Sequence, residues 1–213
     1  DVQQAKSAGE ILNDLNQDEL NDTAVLLGDE SILESLMFSI PEKIENINIT
    51  MGLPLYKTSV GSFFMNYINL CRAKRKSFFY KDVLLLLESN LLLQLFNDDC
   101  KRIRSMITQD QLFFLSLEDL KIMSKTTSSG FKEIISLLLN DLPEEAQQLN
   151  EKNDQVLIKL ISETRSAFTL TLLNKARTAF HKIGSYLDEH EFEVGINGYL
   201  NLYQEVITEQ QVD

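Results

Sequence analysis

The chain is poor in the residues that break helices. Its 213 residues include only 8 glycines and 3 prolines. These two residues are the ones that a helix interior tolerates least. Their scarcity favours a mainly helical fold, and an apolar content of 44% is enough to supply a sizeable core.

Cysteine and histidine are also scarce. The chain has two cysteines, Cys71 and Cys100, and two histidines, His181 and His190. No cysteine lies near either histidine in the sequence, so the pattern does not match a zinc site. Each cysteine falls in a helix-like pattern beside cationic residues. We interpret both as reduced thiols of a cytoplasmic protein rather than as a disulfide.

Long apolar runs and phosphate-binding motifs are missing. The richest apolar run, residues 83–96, is interrupted by four polar side chains and is shorter than the roughly 18 residues that a membrane span needs. There is no G-x-x-x-x-G-K-[ST], no G-x-G-x-x-G and no C-x-x-C. We therefore expect no membrane partner, and we predict no catalytic, cofactor-binding or metal-binding residue.

The charge is unevenly distributed. The net charge is −12, but the acidic excess belongs to residues 1–46 and 141–213, whereas residues 47–140 have 12 basic and 8 acidic side chains. Phosphates would be repelled by most of this chain. If DNA binds, we expect it to bind through the middle third.

Two short patterns near the N-terminus predict strands. Residues 23–28 form a continuous apolar run, and residues 44–51 alternate apolar and polar positions. A helix capped by Asp29 or Ser31 and ended by Pro41 separates them. The predicted fold is mainly α, a multi-helix domain with a small N-terminal α/β piece of two short parallel strands.

The remaining sequence predicts helices only. Thr58 or Ser59 caps a helix with one apolar face, and Ser116 with Asp119 resembles a capping box. The longest periodic run, residues 149–187, contains no proline and predicts one long helix or two nearly continuous ones.

A basic cluster is the main candidate for a binding site. The candidate DNA contacts are Arg72, Lys74, Arg75, Lys76 and Lys81. Residues 78–80, Phe-Phe-Tyr, lie within this cluster and would be able to stack on bases. The alternative interpretation makes the charges a solvated helix end and the aromatic rings part of the core.

Two acidic pairs have weaker claims to a function. The first pair, Asp29 and Glu30, follows the predicted strand at residues 23–28, and a carboxylate just past a strand often faces a nucleotide in an α/β fold. Asp98 and Asp99 resemble the paired carboxylates of metal-dependent nucleases. Helix capping is the alternative for both pairs. A small metal-dependent enzyme that uses them is a third hypothesis, behind the two described below.

Several segments resemble one protein family. They are residues 23–27 (TAVLL), 40–42 (IPE), 48–55 (NITMGLPL), 57–58 (KT) and 79–83 (FYKDV). This order resembles AddB-like helicase–nucleases of Bacteroidetes, which are UvrD/RecB-type proteins with a C-terminal PD-(D/E)XK nuclease. The resemblance covers about a third of the chain, with residues 23–95 as its best stretch.

The resemblance implies that this chain is an internal segment of a longer protein. Residues 1–57 would belong to a RecA-like motor subdomain, and residues 58–213 would form a helical insertion of the 2B type. The parent would use ATP and Mg²⁺ in double-strand break repair. This segment would serve as scaffold, guide DNA or contact a partner helicase–nuclease subunit. The rival hypothesis is an independent helical protein-interaction module with no nucleic-acid role.

Overall fold

The computed structural model describes residues 2–50, 52–72, 77–189 and 194–212. Within these ranges the fold is mainly α, as predicted, with four strands of two residues each. The helices are α1 (Val2–Asp14), α2 (Gln17–Asn21), α3 (Leu33–Met37), α4 (Ser59–Arg72), α5 (Tyr80–Leu87), α6 (Asn90–Gln109), α7 (Leu117–Ser124), α8 (Ser129–Leu139), α9 (Ala146–Glu163), α10 (Ala167–Glu189) and α11 (Ile196–Glu209). The strands are β1 (Leu53–Pro54), β2 (Phe78–Phe79), β3 (Phe114–Leu115) and β4 (Gln211–Val212).

The chain divides into two compact units. The first consists of residues 1–53 and 212–213, and the second of residues 54–211. Strand β1 pairs with β4, and β2 pairs with β3 in an antiparallel ribbon. Short 3-10 helices at Glu30–Ile32 and Leu55–Lys57 precede α3 and α4.

The first unit is built on the contact between α1 and α3. Gly9 of α1 lies against the end of α3, where an added Cβ would be 2.1 Å from the carbonyl oxygen of Ser39. Only glycine permits so close an approach. The chain then leaves α1, and Asn16 and Glu19 form a capping box that starts α2.

The two predicted parallel strands are wrong. No strand is formed in residues 23–28 or in residues 44–50, and Met51 lies outside the described residues. In the first segment, Val25 is 46% exposed and Leu26 is 97% exposed. A parallel strand needs neighbours that cover both its faces and pair with its backbone. Residues 23–27 have no strand neighbour, so their apolar run remains irregular and exposed.

Helix α4 forms the centre of the second unit. Thr58 caps it by accepting a hydrogen bond from the Gly61 amide at 3.1 Å. The predicted apolar face is confirmed, and all its members are buried: Val60, Phe63, Phe64, Tyr67, Ile68 and Cys71. The Phe64 ring packs edge-on against Phe180 of α10, at 4.8 Å between centroids. The Phe180 ring in turn stacks on Tyr203 of α11.

Helices α9 and α10 form an antiparallel hairpin. Gln147, near the start of α9, donates a hydrogen bond to Asp188, near the end of α10, at 3.2 Å. Asp154 of α9 and Arg177 of α10 form an ion pair closer to the middle of the hairpin, at 3.7 Å. This pair also fits an antiparallel arrangement. The chain reverses at residues 164–166, which are not helical. Two helices were one of the predicted outcomes. They pack side by side, however, and one does not continue the line of the other.

Helix α6 continues through Asp98 and Asp99, where capping would have started a new helix. Ser89 caps α6, and the helix is kinked at Phe96 (φ −142°, ψ 41°). Its C-terminal end leads into a loop and then into β3. This loop brings two phenylalanines next to β2.

Candidate nucleic-acid interface

The β2–β3 ribbon separates a buried pair from an exposed pair. Phe78 lies opposite Leu115, and Phe79 lies opposite Phe114. Successive side chains on a strand point to opposite faces. Phe78 and Leu115 are accordingly buried, whereas Phe114 is 59% exposed. The ribbon thus anchors one face in the core and presents the other to solvent.

Four aromatic rings form a continuous surface at this ribbon. We call Phe79, Tyr80, Phe113 and Phe114 the aromatic platform. Phe79 contacts Tyr80 and Phe114 with centroids 5.0 and 5.8 Å apart, and Tyr80 contacts Phe113 at 6.0 Å. Phe113 is 65% exposed, and Phe79 and Tyr80 are half-buried. An isolated exposed ring is ordinary on a protein surface, but a continuous group of four is not.

Main-chain hydrogen bonds fix the platform in place. The Tyr80 amide donates to the Phe113 carbonyl at 3.1 Å, which extends the ribbon into the first turn of α5. The Leu112 amide donates to the Ile107 carbonyl at 3.2 Å and ties the loop to the end of α6. Within that loop Gln111 has a φ of 48°. The backbone that carries Phe113 and Phe114 is therefore fixed by hydrogen bonds on both sides.

One predicted DNA contact lies directly on this platform. The Lys81 ammonium lies 6.0 Å from the centroid of the Phe79 ring, within the range of a cation–π interaction. Lys81 is exposed in the first turn of α5. The structure therefore combines a cation with the exposed aromatic rings at this position.

Of the other four predicted DNA contacts, only Arg72 is among the described residues. Arg72 is exposed in the last turn of α4. Lys74, Arg75 and Lys76 lie outside the described residues. In the sequence they come directly before Ser77 and the ribbon, so residues 72–82 include five basic side chains and one acidic one.

Helix α6 places further cations in the same third of the chain. Lys101, Arg102 and Arg104 are exposed. Arg104 pairs with Glu88 at the end of α5, at 3.0 Å. Arg102 donates to the carbonyl of Thr126. Two of the three cations are thus partly engaged within the protein, and Lys81 remains the cation that lies against the platform.

Two of the acidic candidates, Asp29 and Asp99, have structural roles. Asp29 accepts a hydrogen bond from the Ser31 amide at 2.9 Å, so it caps the short helix that follows, as the alternative interpretation predicts. Asp99 lies inside α6 and accepts from the Ser128 amide at 3.2 Å, where Ser128 caps α8. Asp98 is also within α6. The capping interpretation is therefore wrong for Asp98 and Asp99, since neither residue starts a helix. Among the described residues no group of three His, Cys, Asp or Glu side chains is arranged to hold a metal ion.

The nucleophilic side chains of the core are poorly suited to chemistry. Both cysteines are free and buried. Burial raises the pKa of Cys71 to about 12, and burial, with the Asp99 charge second, raises the pKa of Cys100 to about 12. The thiolate is the reactive form, and it is scarce at neutral pH in such surroundings.

A buried polar cluster crosses α9 and α11. Asn153 donates to the Tyr199 hydroxyl at 2.9 Å, and that hydroxyl donates to Asn150 at 2.8 Å. Nearby in the sequence, Lys152 donates to the carbonyls of Asn140 and Asp141. Burial lowers the pKa of Lys152. The Tyr199 bonds join α9 to α11, and the Lys152 bonds join α9 to the residues that follow α8. These polar groups therefore stabilise the packing of the helices.

The exposed phenylalanines of β3 were missed by the sequence analysis. Basic residues adjoin residues 78–80 in the sequence. Phe78 is buried in the core, as the alternative interpretation predicts, whereas Phe79 and Tyr80 form half of the platform. Phe113 and Phe114 are more than thirty positions away in the sequence, so only the ribbon pairing brings them there. The available signal was the apolar run Leu-Phe-Phe at residues 112–114, directly after the polar residues 108–111, which is typical of a short strand after a turn.

A comparison with protein families, with curated proteins and with solved structures finds no significant match to this chain. None of the helices in the described ranges is long and apolar enough to cross a membrane. The platform and Lys81 are therefore the features of the described residues that point to a function.

Proposed function

We propose that this chain is a non-catalytic helical segment that binds and guides DNA through the aromatic platform and the basic residues beside it. The observation that carries the proposal is the group of four contacting aromatic rings, two of them exposed, with Lys81 against a third. Aromatic faces and cations are the two groups with which proteins hold single-stranded nucleic acid.

The charge distribution supports a local binding site. The middle third is the one part of the chain with a basic excess, and its densest basic run, residues 72–81, leads into the platform. Phosphate neutralisation supplies most of the non-specific affinity for nucleic acid. The acidic remainder of the chain disfavours spreading of DNA over other surfaces. Together these charges favour one limited site rather than a general DNA coating.

The family resemblance is compatible with this role. It implies a DNA-guiding or subunit-contact segment of a cytoplasmic AddB-like helicase–nuclease, with ATP and Mg²⁺ used by other parts of the parent. The two strands that a RecA-like subdomain would contribute are not formed in residues 23–28 or in the described residues 44–50. The platform supports DNA binding, and the helicase–nuclease parent is a further part of the same hypothesis.

The burial of residues 149–187 bears on the rival hypothesis. A broad exposed apolar groove along these residues would support a helical interaction module. The side chains that produce the periodicity there are buried instead, among them Leu157, Leu172 and Phe180. They fill the interface of the α9–α10 hairpin and the core around α4.

Binding to a labelled junction of single-stranded and duplex DNA tests the proposal. Fluorescence anisotropy is measured at low and at moderate salt. We expect binding at low salt and a steep loss of affinity with added salt, because counterion release drives phosphate contacts. Absence of binding at low salt would overturn the proposal and leave scaffold or subunit contact as the role of this segment.

A further inference from the structure

We infer that Phe113 and Phe114 stack on unpaired bases, so that the platform selects single-stranded DNA over duplex. The inference depends on the proposed DNA-binding function and adds the form of DNA that is bound. It follows from which rings are exposed, how they are braced and which groups adjoin them.

The two rings of β3 are the accessible part of the platform. Phe113 and Phe114 are 65% and 59% exposed, whereas Phe79 and Tyr80 are half-buried beside them. The Tyr80 ring meets Phe113 nearly at a right angle, at 88°, and Phe79 is tilted by 51° against Phe114. The inner rings thus support the outer rings without covering all of their surface.

The platform is prepared for binding before a ligand arrives. Its backbone is held by the Tyr80–Phe113 and Leu112–Ile107 hydrogen bonds. A phenylalanine has few rotatable bonds, and neighbouring rings restrict them further. Little conformational entropy is therefore lost when a flat ligand stacks on Phe113 or Phe114.

Unpaired bases are the ligand that this chemistry fits best. Every base has a flat π-face, and in a duplex those faces are covered by neighbouring base pairs except at the ends. Stacking on an aromatic side chain is tolerant of sequence. Lys81, at the inner edge of the platform over Phe79, supplies a positive charge for the phosphate backbone. An apolar protein surface would use the rings but would gain less from the positive charge of Lys81.

Removal of both rings tests the inference. The variant F113A/F114A is compared with the unaltered chain on three DNAs: oligothymidylate, an abasic oligonucleotide of equal length and a blunt duplex. About 20 nucleotides suffices, since single-strand sites rarely exceed about 16. Each lost stacking contact should weaken oligothymidylate binding by about 5- to 100-fold. Abasic binding should change little, because the phosphates and Lys81 remain.

Matched controls guard against a folding artefact. Ile122 of α7 is 51% exposed and has no ring, so Ile122→Ala should leave oligothymidylate affinity unchanged. The chain has no tryptophan, so Phe114→Trp introduces a single indole as a reporter. Its fluorescence should be quenched by oligothymidylate and not by the abasic strand.

The outcomes separate the inference from the proposed function. If oligothymidylate and the abasic strand bind equally and F113A/F114A matches the unaltered chain on both, the stacking inference is overturned while DNA binding stands. If no DNA binds at low salt, both are overturned. If no DNA binds and F113A/F114A abolishes a concentration-dependent self-association, the platform is a protein interface instead.

Discussion

The ammonium group of Lys81 lies 6.0 Å from the centroid of the Phe79 ring. This contact places a positive charge at the inner edge of an exposed aromatic surface. The ring face attracts the cation, which restricts a side chain that would otherwise be free in solution. A phosphate that approaches bases stacked on Phe113 or Phe114 would therefore meet a charge that is already in position.

Neutralising Lys81 should weaken DNA binding in a salt-dependent way. For Lys81→Gln we expect the slope of log affinity against log salt to fall by about 0.7, the value for one phosphate contact on a single strand. Lys182, exposed on α10, provides a charge-matched control. Anisotropy titrations over a salt series measure both variants. Equal slopes for Lys81→Gln and Lys182→Gln would argue against a specific role for Lys81.

Gly61 should be the glycine of the second unit that least tolerates a side chain. An added Cβ would lie 2.1 Å from the carbonyl oxygen of Leu55, which is backbone and cannot rotate away. Alanine would gain about 1 kcal/mol of helix propensity, but overpacking typically costs about 1–3 kcal/mol, and we expect the upper end or more here because the clashing atom is backbone. We expect Gly61→Ala to lower the urea midpoint strongly. At Gly28 nothing lies within 4 Å, and Gly28→Ala should have little effect.

Tyr203 should contribute to stability through its hydroxyl as well as its ring. The hydroxyl donates to the carbonyl of Gly61 at 3.1 Å in the core. Tyr203→Phe keeps the stacking on Phe180 but leaves that carbonyl without this donor, at a cost of about 1–3 kcal/mol. Urea unfolding measures the loss. Tyr56→Phe is the control, because the Tyr56 side chain is 43% exposed. An equal loss of stability in Tyr56→Phe would contradict a specific contribution from the Tyr203 hydroxyl.

Stability should decline at alkaline pH. Burial raises the pKa of the Tyr67, Tyr199 and Tyr203 hydroxyls above the ordinary 10.0, and of both thiols to about 12 from 9.0. The unfolded chain releases these protons first, so the stability present below pH 9 is lost as pH rises towards the folded pKa values. Between its pKa in the unfolded chain and its pKa in the folded protein, each such group lowers the free energy of unfolding by about 1.4 kcal/mol per pH unit.

The urea midpoint as a function of pH tests this expectation. It should be constant near neutral pH and should fall from about pH 9 upwards, where cysteine and then tyrosine ionise in the unfolded chain. A thiol reagent gives an independent measure, since both cysteines should react slowly in the folded protein and rapidly in denaturant. A midpoint that stays level up to about pH 10.5 would contradict the burial of these groups.

The features that were predictable from sequence are the local ones. The capping box of Ser116 and Asp119 and the cap at Thr58 each involve residues three positions apart. The apolar face of α4 follows from a repeat of three to four residues. Such patterns depend on helix geometry alone, and the structure confirms them.

The features that were missed depend on contacts between distant residues. The apolar run at residues 23–28 would become a strand only with a partner strand beside it, and the described residues supply none. The reversal between α9 and α10 lies at three residues without glycine or proline. Phe113 and Phe114 join the platform only because β3 pairs with β2. None of these pairings has a local signature.

Photo-crosslinking is the most direct test of the DNA-binding account. A short single-stranded DNA that carries 5-iodouracil is irradiated with the chain, and the modified peptides are identified by mass spectrometry. The account predicts crosslinks to the aromatic platform, at Phe113, Phe114 or the neighbouring Phe79 and Tyr80. Crosslinks confined to residues 1–53 or to the α9–α10 hairpin, or none at low salt, would contradict it.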